Sequence, residues 1–512
     1  MSADLNPEIV AKALAQAGEP MSFPALSEVL GIEAKTDKQQ LTSILQGLSE
    51  QGEVLKNRRG HYGLVKQMDL IRGRVLGHAD GYGFLRPDEG EGDWFLPPRQ
   101  MEKVFPGDSV LVRSGGQDRR GRDQAEIVEV LERRTHSLVG RFRSEAGTHW
   151  VEPDNPQISH RLLVAADERG EAQPGDLVQV SVQRQPAART PPLARIDKVL
   201  GTTLNAEMRV DVAVIDFGLP QEFPPAVLAE TRDVVRPQLQ PDCSDARDLP
   251  FVTIDGADAK DFDDAVHARR TRGGWTLWVA IADVSRYVRP GTALDREAQE
   301  RATSAYFPGR VVPMLPPALS DDLCSLRPDE DRHALICEMK ISNKGEIGAA
   351  QFSAGLIRSR ARLIYEEVAE VLEQGADHPQ RPLLQELQAL YEALFKARQR
   401  RGALDFEGRE VRFAFDDKGL VADILPVQRT IAHRLIEECM IAANVAAARH
   451  LRRAKLPCLN RIHAPPAADN LADFRAFLGE WGLSLGGQQD PQPGDYQAVL
   501  DQVAGRPEAV VI

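Results

Sequence analysis

Cysteine is scarce in this chain: five in 512 residues, Cys243, Cys324, Cys337, Cys439 and Cys458, far apart and without a Cys-x-x-Cys pair. An odd, scattered set excludes a disulfide framework and the usual zinc spacings, and it suits buried free thiols in a reducing compartment. Long apolar runs are missing too, since no segment approaches ~20 uninterrupted apolar residues. The start, Met1-Ser2-Ala3-Asp4-Leu5-Asn6-Pro7, lacks a basic stretch followed by an apolar one. A membrane span and an export signal are therefore not expected, and the expected location is cytoplasmic. Positive charge is in deficit, with 63 Lys and Arg against 76 Asp and Glu and a net charge of −13. Residues 1–200 carry about −3 of this and the remainder about −10. That balance is awkward for a nucleic-acid binder, whose affinity normally rests on cations neutralising phosphates. An acidic second half suits a carboxylate-rich metal site, although a solvated acidic surface has the same composition.

A chain longer than the ~250 to 300 residues at which single cores stop growing should hold several domains. In residues 1–66, apolar positions recur at helical spacing in Ile9, Ala13 and Leu14, in Phe23, Leu26 and Leu30, and in Leu41, Ile44, Leu45 and Leu48. Two short strands then flank the basic tip Asn57-Arg58-Arg59-Gly60. This pattern predicts a winged helix-turn-helix with Arg58 and Arg59 toward nucleic acid; a helical docking domain is the alternative.

An internal repeat follows. Gly73-Arg74-Val75 recurs as Gly140-Arg141-Phe142, Phe84-Leu85-Arg86-Pro87-Asp88 as Trp150-Val151-Glu152-Pro153-Asp154, and Pro106-Gly107-Asp108 as Pro174-Gly175-Asp176. The near-constant offset predicts two copies of one domain, residues 67–132 and 133–200. Alternating apolar residues broken by Gly and Pro-Gly-Asp turns predict a five-stranded barrel for each. Tyr82 and Phe84 fall on one strand face, and Asp93-Trp94-Phe95-Leu96 adds further rings, Trp94 being the one expected to fill the barrel. These strands resemble the aromatic RNA-binding strands of cold-shock domains, an OB-fold family; the resemblance implies that Tyr82, Phe84 and Phe95 stack single-stranded bases. The second copy, with His149 and Trp150 at the matching strand, is expected to stack less. Residues 183–198, rich in Pro and Arg, look like a linker.

The densest chemical signal lies in residues 201–512. Asp255, Asp258, Asp261, Asp263 and Asp264 are five carboxylates within ten residues. They repel one another unless a cation or a hydrogen-bond network neutralises them. Mg²⁺, with Mn²⁺ as the substitute, is the natural ion, because it takes hard oxygen ligands and keeps waters and phosphate oxygens in its shell. A calcium loop starting at Asp255 would have Ala257 at position 3 and Val266 at position 12, so that motif fails. A solvated acidic turn is the plainer alternative, and the apolar brackets Phe251–Ile254 and Ala265-Val266 argue against it.

The spacing of Asp255, Asp261, Asp263 and Asp264 resembles the RNB catalytic domain of the RNase II/RNase R exoribonucleases. Ile281-Ala282-Asp283-Val284-Ser285, Ser304-Ala305-Tyr306-Phe307-Pro308, Leu323-Cys324-Ser325-Leu326 and Leu435–Asn444 follow in that family's order. The fold so implied is multidomain α+β: a winged helix-turn-helix, two cold-shock OB-fold barrels and an RNB catalytic domain. The activity implied is processive 3′→5′ hydrolysis of single-stranded RNA to 5′-nucleoside monophosphates. Asp255 and Asp264 would hold metal, Asp261 would assist, and Asp263 would be most critical to cleavage. Tyr306 would stack on the 3′-terminal base, Phe406 would be a second aromatic clamp, and Glu438 would face the RNA end. A monomer that meets the ribosome or RNA-decay factors is expected. The family's later Arg-rich segment, S1 barrel and lysine-rich tail have no counterpart here, so the chain is expected to be truncated within the catalytic domain. An RNA-binding fragment with an inactive catalytic domain is the alternative function.

Overall fold

A computed structural model describes residues 5–56, 60–65, 70–90, 92–118, 121–202, 205–234, 238–404, 410–417 and 419–512. Arg58, Arg59 and Phe406 lie outside the described residues. The chain divides into two compact units, residues 1–221 with 416–420, and residues 222–415 with 421–512.

The first unit opens with helices α1 (Pro7–Ala17), α2 (Phe23–Val29) and α3 (Lys35–Glu50) and a small sheet of β1 (Met21–Ser22), β2 (Val54–Lys56) and β3 (His61–Leu64), in the order β1-β3-β2. The helical apolar stripes meet in one buried cluster that includes Ala13, Leu14, Leu26, Leu41, Leu45 and Leu48, but on α1 it is Val10 and not the expected Ile9 that joins it.

Two closed barrels follow. The first comprises β4 (Leu70–Gly77), β5 (Gly83–Pro87), β6 (Trp94–Leu96), β7 (Ser109–Gln117) and β8 (Asp123–Glu132), with a short helix α4 (Pro98–Met101) between β6 and β7. The second comprises β9 (Ser137–Glu145), β10 (Thr148–Pro153), β11 (Leu162–Val164), β12 (Leu177–Arg184) and β13 (Leu193–Gly201). Strand order around the ring is the same in both, each with a single parallel pair, β6 with β8 and β11 with β13.

The repeated residues explain themselves in this geometry. A Cβ on Gly73 would stand 2.4 Å from the carbonyl oxygen of Arg86, and one on Gly140 would stand 2.4 Å from that of Glu152. Only glycine lets the neighbouring strand approach so closely. The Pro-Gly-Asp turn is stapled to that strand in both copies: Gly107 N donates to Val75 O and Val75 N to Asp108 O, and likewise Gly175 to Phe142 and Phe142 to Asp176. Asp108 does more than Asp176. Fully buried, its carboxylate accepts from Phe105 N at 3.0 Å, Arg134 N at 3.0 Å and the Arg133 guanidinium at 2.9 Å. The turn thus presents Phe105, which lies buried among Leu138, Phe142, Leu162 and Val180 of the second barrel.

The expected linker at residues 183–198 is corrected by the structure. Leu193–Gly201 is the fifth strand of the second barrel, paired with both β11 and β12, and only the tip between Gln185 and Pro192 is a connection. The prolines and arginines there mark a hairpin tip and an outward-facing strand surface. Helix α5 (Ala206–Asp216) completes the unit.

In the second unit, helix α6 (Pro225–Arg232) precedes a seven-stranded sheet of β14 (Ser244–Asp245), β15 (Val252–Asp255), β16 (Asp264–Thr271), β17 (Gly274–Ala282), β20 (Asp331–Ser342), β21 (Ile347–Arg358) and β22 (Ala361–Ile364), ordered β14-β21-β20-β17-β16-β15-β22. Between β17 and β20 come α7 (Ala293–Arg301) and the hairpin β18 (Ala305–Phe307) and β19 (Arg310–Val312). After the sheet follow α8 (Tyr365–Ala369), α9 (Arg381–Arg400), the hairpin β23 (Val411–Phe415) and β24 (Val421–Pro426), α10 (Ile431–Arg453), α11 (Ala468–Glu480) and α12 (Pro493–Val503). Strand β17 is apolar but for the buried Thr276, because both faces are covered along most of its length. Leu277 and Val279 join the core beneath α9 and α10, while Trp278 and Ala280 join a second core with Phe251, Phe262 and Ile336.

The asymmetry between the two turns is testable. Asp108→Ala strands three donors, one of them buried and one of them charged, and should cost about 3 kcal/mol; Asp176→Ala should cost less than half as much. Denaturant titration of the two variants checks the ranking, and equal losses would contradict it.

Candidate functional site

The aspartates are gathered by strand ends. Strand β15 finishes at Asp255, its antiparallel neighbour β16 starts at Asp264, and the eight-residue connection carries Asp261 and Asp263. All four therefore sit at one end of the sheet. Asp255 feels Asp264, Asp263 and Asp261 in turn. Its carboxyl is pushed up to about 7, by burial first and by those three charges next, with Arg362 offsetting part of the rise. Burial and then Asp263 raise Asp264 to about 6. Asp263 is raised by desolvation in the crowded loop and by Asp261, even though it is the most exposed of the group.

Residues not singled out in the sequence hold this loop in place. The buried Ser325 hydroxyl donates to Lys260 O at 2.8 Å and accepts from Phe262 N at 3.0 Å. Leu326 N donates to Phe262 O at 2.9 Å, so the Phe262 backbone is bound on both sides while its ring enters the core. Asp263 O accepts from Ala282 N of β17. Arg362, on β22 beside β15, donates to Gly256 O at 3.1 Å and Ala257 O at 2.7 Å. Tyr365 faces Asp255 and Asp264 from the start of α8, and its phenol is pushed up to about 12, by burial first and by those carboxylates second. Signals existed for some of these: Ser325 lies within Leu323–Leu326, and Arg362 is the last of three alternating arginines, Arg358, Arg360 and Arg362.

Tyr306 stands beside the cluster. It is 68% exposed, and its hydroxyl donates to Asp261 at 3.4 Å. With Asp258, Lys260, Asp261, Ser304 and Arg310 it lines a cleft of about 530 Å³. Glu438 is placed differently. It is buried on α10 and accepts from Arg398 of α9 at 2.8 Å, while Glu437 accepts from the same guanidinium and from Arg429. The other arm of Arg398 reaches Leu404 O, at the edge of the segment containing Phe406.

On the first barrel, Tyr82, Phe84 and Phe95 come together, with ring centroids 5.6 to 6.0 Å apart. His78 stacks on Tyr82 at 4.2 Å, and the Arg122 guanidinium lies 3.8 Å above Phe95. Trp94 packs against the barrel core, as expected of it. On the second barrel, Trp150 bonds Glu152 and lies beside Arg161.

The carboxylates fit a hard divalent cation. Asp255 Oδ2 is buried without a hydrogen-bond partner, and every donor is an oxygen. Among the described residues no three His, Cys, Asp or Glu side chains converge as a ready-made cage. One or two carboxylates completed by waters and phosphate oxygens is the mode Mg²⁺ favours. Were such an ion bound, Asp255, Asp264 and the flanking Asp261 would be the residues to hold it. In metal-free buffer these raised carboxyls bind protons more tightly folded than unfolded. Their contribution to stability is therefore complete near pH 4 and is lost as pH rises through about 6 to 7. Asp255→Asn should flatten that decline, by on the order of 1–2 kcal/mol at pH 8 after solvent screening. Denaturation of both forms from pH 4 to 8 in EDTA measures it, and parallel curves would refute the coupling.

Comparison with known proteins agrees with this layout. The RNB domain family matches residues 243–511, the ribonuclease B OB domain residues 73–130 and the cold shock domain residues 150–224. The chain is 42% identical to ribonuclease R of Escherichia coli over 99% of its own length and 63% of that relative's, so it spans somewhat less than two thirds of that protein. It is 42% identical to ribonuclease R of Acidithiobacillus ferrooxidans over 78% of its length and 93% of the relative's. In fold it is similar to Mycoplasma genitalium RNase R in complex with ribose-methylated single-stranded RNA, at a TM-score of 0.79 and 23% identity, covering 86% of this chain and 71% of that one. A yeast pseudonuclease shares the fold at a TM-score of 0.59 and 15% identity, over 87% of this chain and 62% of that one. No helix among the described residues is long and apolar enough to cross a membrane. Sequence motifs, barrel pair and family match lead to one conclusion: the chain belongs to the RNB family, in its ribonuclease R group.

Proposed function

We propose that this chain carries the RNA-binding barrels and the carboxylate site of a hydrolytic exoribonuclease that shortens single-stranded RNA from its 3′ end, releasing 5′-nucleoside monophosphates. The observation that carries the reading is the crowding of Asp255, Asp261, Asp263 and Asp264 at one end of a rigid sheet, with Tyr306 beside them. A shared fold is insufficient alone, since the pseudonuclease has it; the carboxylates argue for chemistry.

A bound divalent cation, Mg²⁺ or Mn²⁺, supplies an activated water and charge stabilisation at the leaving 3′ oxygen. Asp255 and Asp264 anchor it, Asp261 assists, and Asp263, on the loop pinned by Ser325, orients the attacking group. Tyr306 offers its exposed ring to the terminal base while its hydroxyl is steadied by Asp261, so base and carboxylates are held in register. Lys260 and Arg310 line the same cleft and attract the phosphate. Glu438 acts through its pair with Arg398, and Phe406 serves as a second clamp. Residues 1–66 act as a winged helix-turn-helix, which their three helices and three-stranded sheet support, and residues 67–132 and 133–200 as the cold-shock modules. Tyr82, Phe84 and Phe95 build the RNA-stacking face of the first of these. The catalytic domain then occupies residues 201–512. The protein works as a cytoplasmic monomer, and ribosomes and RNA-decay factors are its expected encounters.

An assay with 3′-labelled single-stranded RNA and Mg²⁺ tests this. Labelled mononucleotide should appear, and Asp263→Asn should slow its release by at least ~10³-fold, the order typical of losing a principal transition-state interaction, with RNA binding retained. No release by the chain, alone or extended by the C-terminal part its longer relatives possess, defeats the proposal. Tyr306→Ala should leave cleavage in place but lengthen the final product, visible on a sequencing gel.

A further inference from the structure

The aromatic face of the first barrel is not bare. Phe95, one of its three rings, already carries the guanidinium of Arg122 at 3.8 Å. That placement is enforced. Asp118 accepts from Arg122 N at 2.9 Å and from Nε at 2.8 Å, and it pairs with Nη2 at 2.7 Å, so one carboxylate grips both the backbone and the fork of the arginine. Asp118 is itself held in the turn by its own N–H, which donates to Arg122 O. His78 covers Tyr82 in the same manner, 4.2 Å away with planes 12° apart, and it is steadied where Asp80 N donates to its Nδ1. The contacts form one continuous run, His78, Tyr82, Phe84, Phe95 and Arg122, with a planar nitrogen-bearing group at each end.

We infer that Arg122 is a base-stacking residue of this barrel: an RNA base lies on the guanidinium plane that rests on Phe95, and Phe95 supports that plane from below. The inference rests on the reading of barrel one as a single-stranded RNA site and adds the residue that presents its outer surface. Two physical points favour stacking over phosphate attraction. The bidentate grip of Asp118 offsets the charge of Arg122 and leaves little net field to draw a phosphate. It also fixes the guanidinium flat, removing the rotamer entropy that a mobile arginine would lose on binding. A planar cation over an aromatic ring is a recurrent support for bases in single-strand binders.

The test is binding of a fluorescein-labelled oligoribonucleotide of about 12 nucleotides, within the span of one OB-fold, to the full chain in EDTA, measured by anisotropy across a salt series. Arg122→Lys keeps the charge and loses the plane. It should weaken binding roughly tenfold, the order of one lost stack, with an unchanged slope of log affinity against log salt. Arg122→Ala should weaken binding at least as much, and circular dichroism of both variants should keep the barrel signal, because Arg122 packs on Asp118 and Phe95 outside the barrel core. Wild-type affinity in Arg122→Lys would overturn the inference by showing that charge suffices. Equal or tighter binding by Arg122→Ala would overturn it by showing that the ring is the platform and Arg122 its cover. The double variant Tyr82→Ala with Phe84→Ala separates the two claims. If it binds normally, barrel one is not the RNA site and the inference falls with that reading. If it binds weakly while both Arg122 variants bind normally, the inference alone fails.

Discussion

Mutual repulsion among carboxylates at the end of β15 and β16 is the constraint around which the second unit is built. Left to themselves, four acidic side chains within ten residues would splay into water. Here they cannot, because Asp255 and Asp264 belong to neighbouring strands of a sheet covered on both faces. The connection between them is stitched down by Ser325, Leu326, Ala282 and Arg362. Each stitch bonds a backbone atom of the loop, so the loop's path is set without using the aspartate carboxylate oxygens. The oxygens are left for a cation and for substrate. Electrostatic strain of this kind is what preorganisation means in a phosphodiester-cleaving site: protein dipoles and charges stand in place before the reaction begins.

Much of this organisation was legible in the sequence, for identifiable reasons. The repeat predicted two barrels because Gly73 and Gly140, and the two Pro-Gly-Asp turns, do the same steric and hydrogen-bonding work in each copy. The aspartate cluster was legible because carboxylate density between apolar strands has few structural explanations. Composition misled at residues 183–198, where prolines at a hairpin tip and arginines on a strand's outer surface imitate a linker. The closing strand of a small barrel needs only a few inward apolar residues, Ala194 and Ile196 here, and so leaves a weak periodic signal.

Other features were illegible because they are made by distant partners. Ser325 is one small polar residue in an apolar stretch, and nothing local says that it reaches the backbone of residues 260 and 262, more than sixty positions away. Glu437 and Glu438 were indistinguishable in one dimension. In the fold they share Arg398, but Glu438 is buried on the core side of α10 while Glu437 also meets Arg429. That arrangement makes Arg398 the cation that offsets the cost of burying the Glu438 carboxylate. It also links the end of α9 to Leu404, the last described residue before Phe406.

The acidity of the chain and the RNA affinity proposed for it need reconciling, and the first barrel suggests how. A net charge of −13 works against long-range attraction of RNA. Stacking does not depend on that field, because every base has a π-face and the contact forms at van der Waals range. The barrel uses its cations accordingly: Arg122 is locked by Asp118 over Phe95, and Arg86 of β5 is paired with Asp93, just ahead of β6. Such neutral pairs contribute planes and geometry rather than field strength. Binding carried by rings and clamped guanidiniums is also sequence-tolerant, and that suits the exoribonuclease activity proposed for the chain. A surface that gripped each phosphate tightly would resist every step of translocation, whereas a stack can be left and remade one base at a time.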